Sequence, residues 1–152
     1  MSQAEDAGAS GITELIDALM RAYTAKDAKG AADLFTVDAI AVGTGADEVR
    51  FGRDEILVQL ERDTSQADEL RLRYEGLRTG ERGNAAWCFA DLTADVTVGA
   101  ETITMPMRFS AAAVRTDDGW RFVESHLSLP FAGQIECESF AQPVDSDESR
   151  SH

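Results

Sequence analysis

The feature of this sequence that most restricts its fold is a change of hydrophobic period partway along the chain. Up to about Asp63 apolar residues recur at helical spacing, and from Leu70 onward they alternate. Ile12, Leu15, Ile16, Leu19, Met20 and Tyr23 form one stripe on a helix, with Glu14, Asp17 and Arg21 turned elsewhere. Ser10 and Thr13 are both suitable caps for it. A second, short helix is predicted from about Ala28 to Phe35, turning Ala31, Leu34 and Phe35 inward. A third runs from Arg53 to about Asp63 and buries Ile56, Leu57 and Leu60. Its Asp54 and Glu55 suit the positive end of the helix dipole. Between the second and third, Ile40 and Val42 suggest a short strand, with Val49 and Phe51 as the returning arm of a hairpin.

After the change, Leu70, Leu72 and Tyr74 alternate with Arg71, Arg73 and Glu75, a half-exposed strand that ends in a turn over residues 78–84. Three longer strands follow, at Ala85–Val98, Thr102–Thr116 and Trp120–Leu129, joined at Gly99–Ala100 and Asp117–Asp118–Gly119. Helices first and antiparallel strands last predict an α+β domain with the helices on one sheet face. A chain of 152 residues suits a single domain. We read 1–10 as a flexible N-terminus and 11–131 as the folded domain. Residues 132–152 read as an acidic C-terminal extension, disordered beyond about 141.

Charge narrows the partners. With 28 acids against 14 bases the net charge is −14, and no basic stripe interrupts it. Such a surface repels a phosphate backbone and an anionic bilayer, so neither nucleic acid nor membrane is expected as a partner. No apolar run is long enough to span a bilayer, and the N-terminal MSQAEDAGASG lacks the charged and apolar regions of a secretory signal; the cytoplasm is the expected location. Cys88 and Cys137 are far apart in sequence, and free thiols are the default, with a disulfide between them as the alternative. There are two histidines and no Cys/His cluster, so no metal is expected. GTGADEVRFG has neither the dinucleotide nor the phosphate-loop pattern, and no cofactor is expected.

Four segments carry a likeness to a known family: AYTAKDAKGAADLFTVDAIAVGTG at 22–45, FGRDEI at 51–56, NAAWCFADLT at 84–93 and GWRFVESHLSLP at 119–130. In this order and spacing they resemble the SnoaL-like branch of the nuclear-transport-factor-2-like superfamily, over residues 12–130. The last segment is also similar to the association domain of calcium/calmodulin-dependent protein kinase. The resemblance implies a cone-shaped, barrel-like fold, with a strongly curved, mostly antiparallel sheet wrapped around the N-terminal helices. It further implies a homodimer formed through the outer sheet face. The family includes steroid isomerases, polyketide cyclases, dehydratases, epoxide hydrolases and non-enzymatic assembly domains, so the likeness speaks to fold before chemistry.

Strand parity then nominates a pocket, because alternate side chains share a face. In the last strand Trp120, Phe122, Glu124, His126 and Ser128 form one set, the apolar-and-polar mixture of a ligand site. The resemblance likewise implies a concave position for the histidine and serine of this motif. Tyr74, Trp87 and Arg108 complete the expected pocket, with Arg108 either meeting a ligand carboxylate or simply lying exposed, a choice that parity alone leaves open. Gly43 and Leu19 fall where the steroid isomerases carry their base and tyrosine, and neither bears the required group; Asp38, Asp47 and Tyr23 are displaced from those positions. The expectation is therefore a domain that binds a small organic molecule without an identifiable catalytic set. One alternative is a cyclase-, isomerase- or dehydratase-type enzyme acting on a hydrophobic carbonyl compound, with Glu124 or Asp91 as base and His126 as partner. The other is a protein-assembly module.

Overall fold

The computed structural model describes residues 3–141. The chain runs as α1 (Gln3–Thr24), α2 (Ala28–Ala32), β1 (Phe35–Val42), β2 (Val49–Phe51), α3 (Arg53–Ser65), β3 (Glu69–Arg82), β4 (Ala85–Val98), β5 (Glu101–Thr116) and β6 (Gly119–Ser128). The six strands form one curved, open sheet in the order β2-β1-β6-β5-β4-β3. Every neighbouring pair is antiparallel except β1 and β6, which are parallel. The family's α+β cone is thus present, with the helices gathered on the concave side.

The helical stripe read from the sequence is the heart of the core. Ile12 and Ile16 are fully buried, and Leu15, Leu19 and Met20 nearly so. They meet the inward parity of the long strands: Ala86, Cys88, Leu92 and Ala94 on β4, then Met107, Phe109, Ala111 and Ala113 on β5. Small residues on these strands let α1 approach the sheet closely, and the phenylalanines fill what remains. Phe122 is completely buried, with ring centroids 5.3 Å from Phe35 and 6.3 Å from Phe109. The start of α3 is tied to the start of β1 by Arg53, whose Nε and Nη2 donate to the Phe35 carbonyl at 2.9 and 2.6 Å.

Three irregularities bend the sheet. Register shifts occur in β1 between Phe35 and Ile40, in β3 between Glu75 and Arg78, and in the β5–β6 pairing between Ala112 and Ala113. An extra residue on one strand of a pair increases its local twist and turns the strand. The last shift sets Phe122 opposite Ala113 but Glu124 opposite Ala112, with Val123 as the extra residue.

Several boundaries depart from the sequence reading. The first helix begins at Gln3 and so takes in most of the stretch expected to be loose; its alanines and glutamate favour a helix. The second ends at Ala32, so that Phe35 opens β1. The strand expected to stop before the 78–84 turn continues to Arg82. Cys88 and Cys137 are both free; Cys88 is buried, whereas Cys137 is exposed and has a φ of 72°. Disorder beyond residue 141, and His152, lie outside the described residues. No helix among the described residues is long and apolar enough to cross a membrane.

Candidate functional site

Between α1, α3 and the concave sheet face lies a cavity of about 350 Å³. Its walls follow from strand parity. β3 contributes Leu70 and Leu72, β4 Leu92 and Ala94, β5 Met105, Met107 and Phe109, and β6 Leu127. Leu19 and Met20 of α1 and Ile56 and Leu60 of α3 close it from the other side. This is an apolar chamber whose volume lies in the range of small-molecule sites.

One end is polar. Tyr23 reaches it from the last turn of α1, Gln59 and Asp63 from one face of α3, and Glu48 and Arg50 from the β1–β2 hairpin. Residues 59 and 63 are four apart, so helix geometry brings them to one side. Gln59 Nε2 donates to Asp63 Oδ1 at 2.7 Å and to Glu48 Oε1 at 3.2 Å. Tyr23 Oη donates to Asp63 Oδ2 across a longer 3.4 Å. Arg62, outside the chamber, donates to Glu48 Oε1 at 3.1 Å and Asp47 Oδ2 at 2.8 Å, and the Gly45 N–H also donates to Glu48. The hairpin and helix are therefore joined through Glu48.

Burial governs the electrostatics. Desolvation raises the pKa of Asp63 above the usual carboxylate range, and the charge of Glu48 adds to the rise; the Gln59 and Tyr23 hydrogen bonds oppose it. The Tyr23 phenol is raised by burial first and by the Asp63 charge second, so it stays protonated. Asp47, held by the Arg62 hydrogen bond, is lowered. A partly desolvated carboxyl facing a protonated phenol is an arrangement able to hold or pass a proton.

None of the eight pocket residues read from the sequence is among those that line this cavity. The β5–β6 shift explains three of them, Glu124, His126 and Ser128, because it breaks the single parity assumed for the last strand. Before Val123 the inward residue is Phe122; beyond it Ser125 and Leu127 point in. Glu124, His126 and Ser128 then stand on the convex face, opposite Ala112, Ser110 and Arg108. Phe122 belongs to the core, and Trp120 lies half-buried over Gly11 of α1, with Arg115 5.0 Å above its ring. Trp87 is 47% exposed and lies across Gly80 on the convex side, and Asp91 is paired in register with Arg108 on that same side. Arg108 is exposed and donates to the Leu129 carbonyl. The Tyr74 hydroxyl is taken up by Asp17 at 2.6 Å, which pushes its pKa up to about 12.

The structure does bring six of the expected residues together, Asp91 included, but outside. Cross-strand partners place Phe51, Ile40, Glu124, Ala112, Trp87 and Gly80 in one row over all six strands. His126, Ser110, Phe89 and Arg78 form the next row, and Ser128, Arg108 and Asp91 the one after. The polar cavity residues that the sequence reading missed had one visible signal. Gln59 and Asp63 border the apolar face of α3 one turn apart, directly beside the buried Ile56 and Leu60. Leu19 and Gly43, the positions tied to steroid-isomerase chemistry, do line the chamber, with Tyr23 one helical turn beyond Leu19.

A helix-filled, open cone with an apolar chamber and one polar end defines a class of cavity-bearing α+β domains. The chain belongs to the SnoaL-like domain family, whose model matches residues 12–132. No curated protein matches it. Solved structures place it in the nuclear-transport-factor-2-like fold. A protein of this fold from Pseudomonas putida, of unknown function, is 18% identical, with a TM-score of 0.75 over 95% of this chain and 99% of that one. A candidate dehydratase of the same superfamily from Streptomyces avermitilis is 15% identical, with a TM-score of 0.73 over 84% and 99%. A candidate calcium/calmodulin-dependent protein kinase II association domain from Xanthomonas campestris is 18% identical, with a TM-score of 0.72 over 80% and 86%.

Proposed function

We propose that this SnoaL-like domain binds one small, mainly apolar organic molecule in the chamber between α1, α3 and the sheet. The observation that carries the reading is the combination of a 350 Å³ apolar cavity with a hydrogen-bonded cluster of Tyr23, Glu48, Gln59 and Asp63 in its lining. Such a site gains affinity from its walls and orientation from its few hydrogen bonds. The test is thermal shift against a metabolite panel, run beside Leu72→Trp, which fills the chamber. A ligand at 100 times its Kd stabilises the native state by about 2.7 kcal/mol. The wild type should respond to members of the panel and the filled variant should not; equal responses from both would sink the idea.

The working unit is a homodimer joined through the convex face. Ile40, Phe51, Trp87 and Phe89 support this, because all four are exposed apolar side chains in adjoining rows of that face. Glu124 and His126 then belong to the interface. The likeness to an association domain fits the same surface use. Free thiols at Cys88 and Cys137 suit a reducing compartment, and we assign the protein to the cytoplasm.

A second reading, an isomerase- or dehydratase-type enzyme acting on a hydrophobic carbonyl compound, is favoured by one observation. Asp63 is a desolvated carboxyl in the chamber, beside Tyr23. Asp63 would replace Glu124 and Asp91 as the proton-transfer group, and the likeness to a candidate dehydratase from Streptomyces avermitilis supports this reading. Turnover found by substrate screening should disappear in Asp63→Asn while ligand binding persists. Turnover that survives this substitution would exclude Asp63.

A further inference from the structure

One polar side chain stands on an otherwise apolar stretch of the chamber wall. From β3 to β6 the other side chains that line the cavity are apolar, and Ser125 of β6 is the exception. It is only 8% exposed. Among the described residues its hydroxyl has no hydrogen-bond partner. The hydroxyl is nevertheless not sealed away, because the unpartnered side-chain atoms that are wholly enclosed belong to Arg50, Gln59 and Glu81. The surface that Ser125 keeps is therefore surface of the chamber it lines.

Local geometry holds it there. The extra residue at Val123 turns Ser125 and Leu127 to the concave side. Ser125 is in register with Ala41 of β1 and Ala111 of β5, whose methyl groups are too short to cover the hydroxyl and offer it no bond. A buried hydroxyl costs free energy unless something bonds it. A third alanine would fill the same place without that cost, so packing does not account for the serine.

The chemistry of the hydroxyl narrows what would meet it. Serine presents one donor, and that proton is the part in need of an acceptor. A ligand N–H would leave it open. A carboxylate would give up its hydration for a single bond on a stretch of wall that carries no charge. An uncharged acceptor oxygen satisfies the donor without either penalty.

We propose that Ser125 selects the ligand's polar group, its hydroxyl donating to an uncharged acceptor oxygen, such as that of a ketone, on an otherwise apolar molecule. The inference rests on the cavity-binding reading and adds the class of ligand to it.

The test uses the full chain and five probes, each measured by isothermal titration. Three are 2-, 3- and 4-phenylcyclohexanone, which carry the oxygen at different places on one shape. The others are cyclohexylbenzene, which lacks it, and 4-phenylcyclohexanecarboxylate. The tightest ketone should bind about five- to tenfold better than the hydrocarbon, the discrimination that one net hydrogen bond supplies. Ser125→Ala should remove that preference while its affinity for cyclohexylbenzene stays within about twofold of the wild type, which also reports that the variant is folded and the chamber intact. Without ligand, Ser125→Ala should melt at or above the wild-type temperature, since a methyl group replaces an unpartnered hydroxyl. A clearly lower melting temperature would mean that the fold already bonds the hydroxyl, and overturns the inference. So does a ketone preference that is absent or that survives Ser125→Ala, and so does tightest binding by the carboxylate; in each case binding that the filled Leu72→Trp chain loses leaves the cavity reading standing. If the wild type and Leu72→Trp bind all five probes equally, or neither binds any, the cavity reading fails and the inference falls with it.

Discussion

Asp63 and Phe122 show how differently single buried side chains act. Phe122 is wholly apolar and wholly enclosed, so its removal leaves a void between Phe35, Phe109 and α1. Phe122→Ala should lower stability by about 3–5 kcal/mol in chemical denaturation. A loss below about 1 kcal/mol would mean that the aromatic cluster is not packed as described. Asp63 is instead a group whose pKa is raised on folding. Its protonated form is preferred in the native state, so its contribution is complete below the unfolded carboxylate pKa and is lost as pH rises through the folded value. Asp63→Asn should therefore raise the melting temperature at pH 7, with the gap from wild type closing toward pH 3. A gap that widened on acidification would reverse the sign and show that Asp63 is stabilised as the anion. Asp47 and Asp95 run the other way: both are lowered by arginine partners or hydroxyl contacts, and lose their contribution as pH falls. Nothing in the composition distinguishes these aspartates. Asp63 differs because helix α3 carries it under the hairpin.

At the scale of elements, the contact between α1 and β6 is made by a glycine. A Cβ built on Gly11 would sit 2.3 Å from the Trp120 ring, closer than carbon atoms approach. Gly11→Val should displace the indole and destabilise by about 1–3 kcal/mol, the usual cost of overpacking. In a Trp87→Phe background, the remaining Trp120 emission should shift to the red as the ring becomes wet; unchanged emission would show that the helix end yields instead. Elements were also where the sequence was most readable. The stripe on α1, the span of β4, and the turns at Gly99 and Gly119 all stand where periodicity and turn residues put them. What alternation could not reveal was the extra residue at Val123. A parity argument assumes an unbroken pleat, and one added residue reverses every side chain beyond it. Hence Phe122 is inside as expected, while Glu124, His126 and Ser128 are not.

Over the whole molecule, the curved sheet separates two surfaces with distinct uses. The concave one, covered by helices, encloses the chamber; the convex one carries Trp87, Phe89, Ile40 and Phe51 in the open. If that face joins two copies, Trp87→Glu should shift the protein from dimer to monomer in sedimentation equilibrium, because a carboxylate would be buried without a partner. A dimer of undiminished strength would place the interface elsewhere. The sequence by itself determined the elements, the α+β class and the family likeness, since these depend on local period, turn chemistry and the order of segments. The tertiary structure alone decided which residues face the hollow. That choice depends on where bulges reverse the pleat and on how α3 and the β1–β2 hairpin meet, and contacts between residues distant in the chain, such as Tyr23 with Asp63 and Glu48 with Arg62, leave no periodic trace along it.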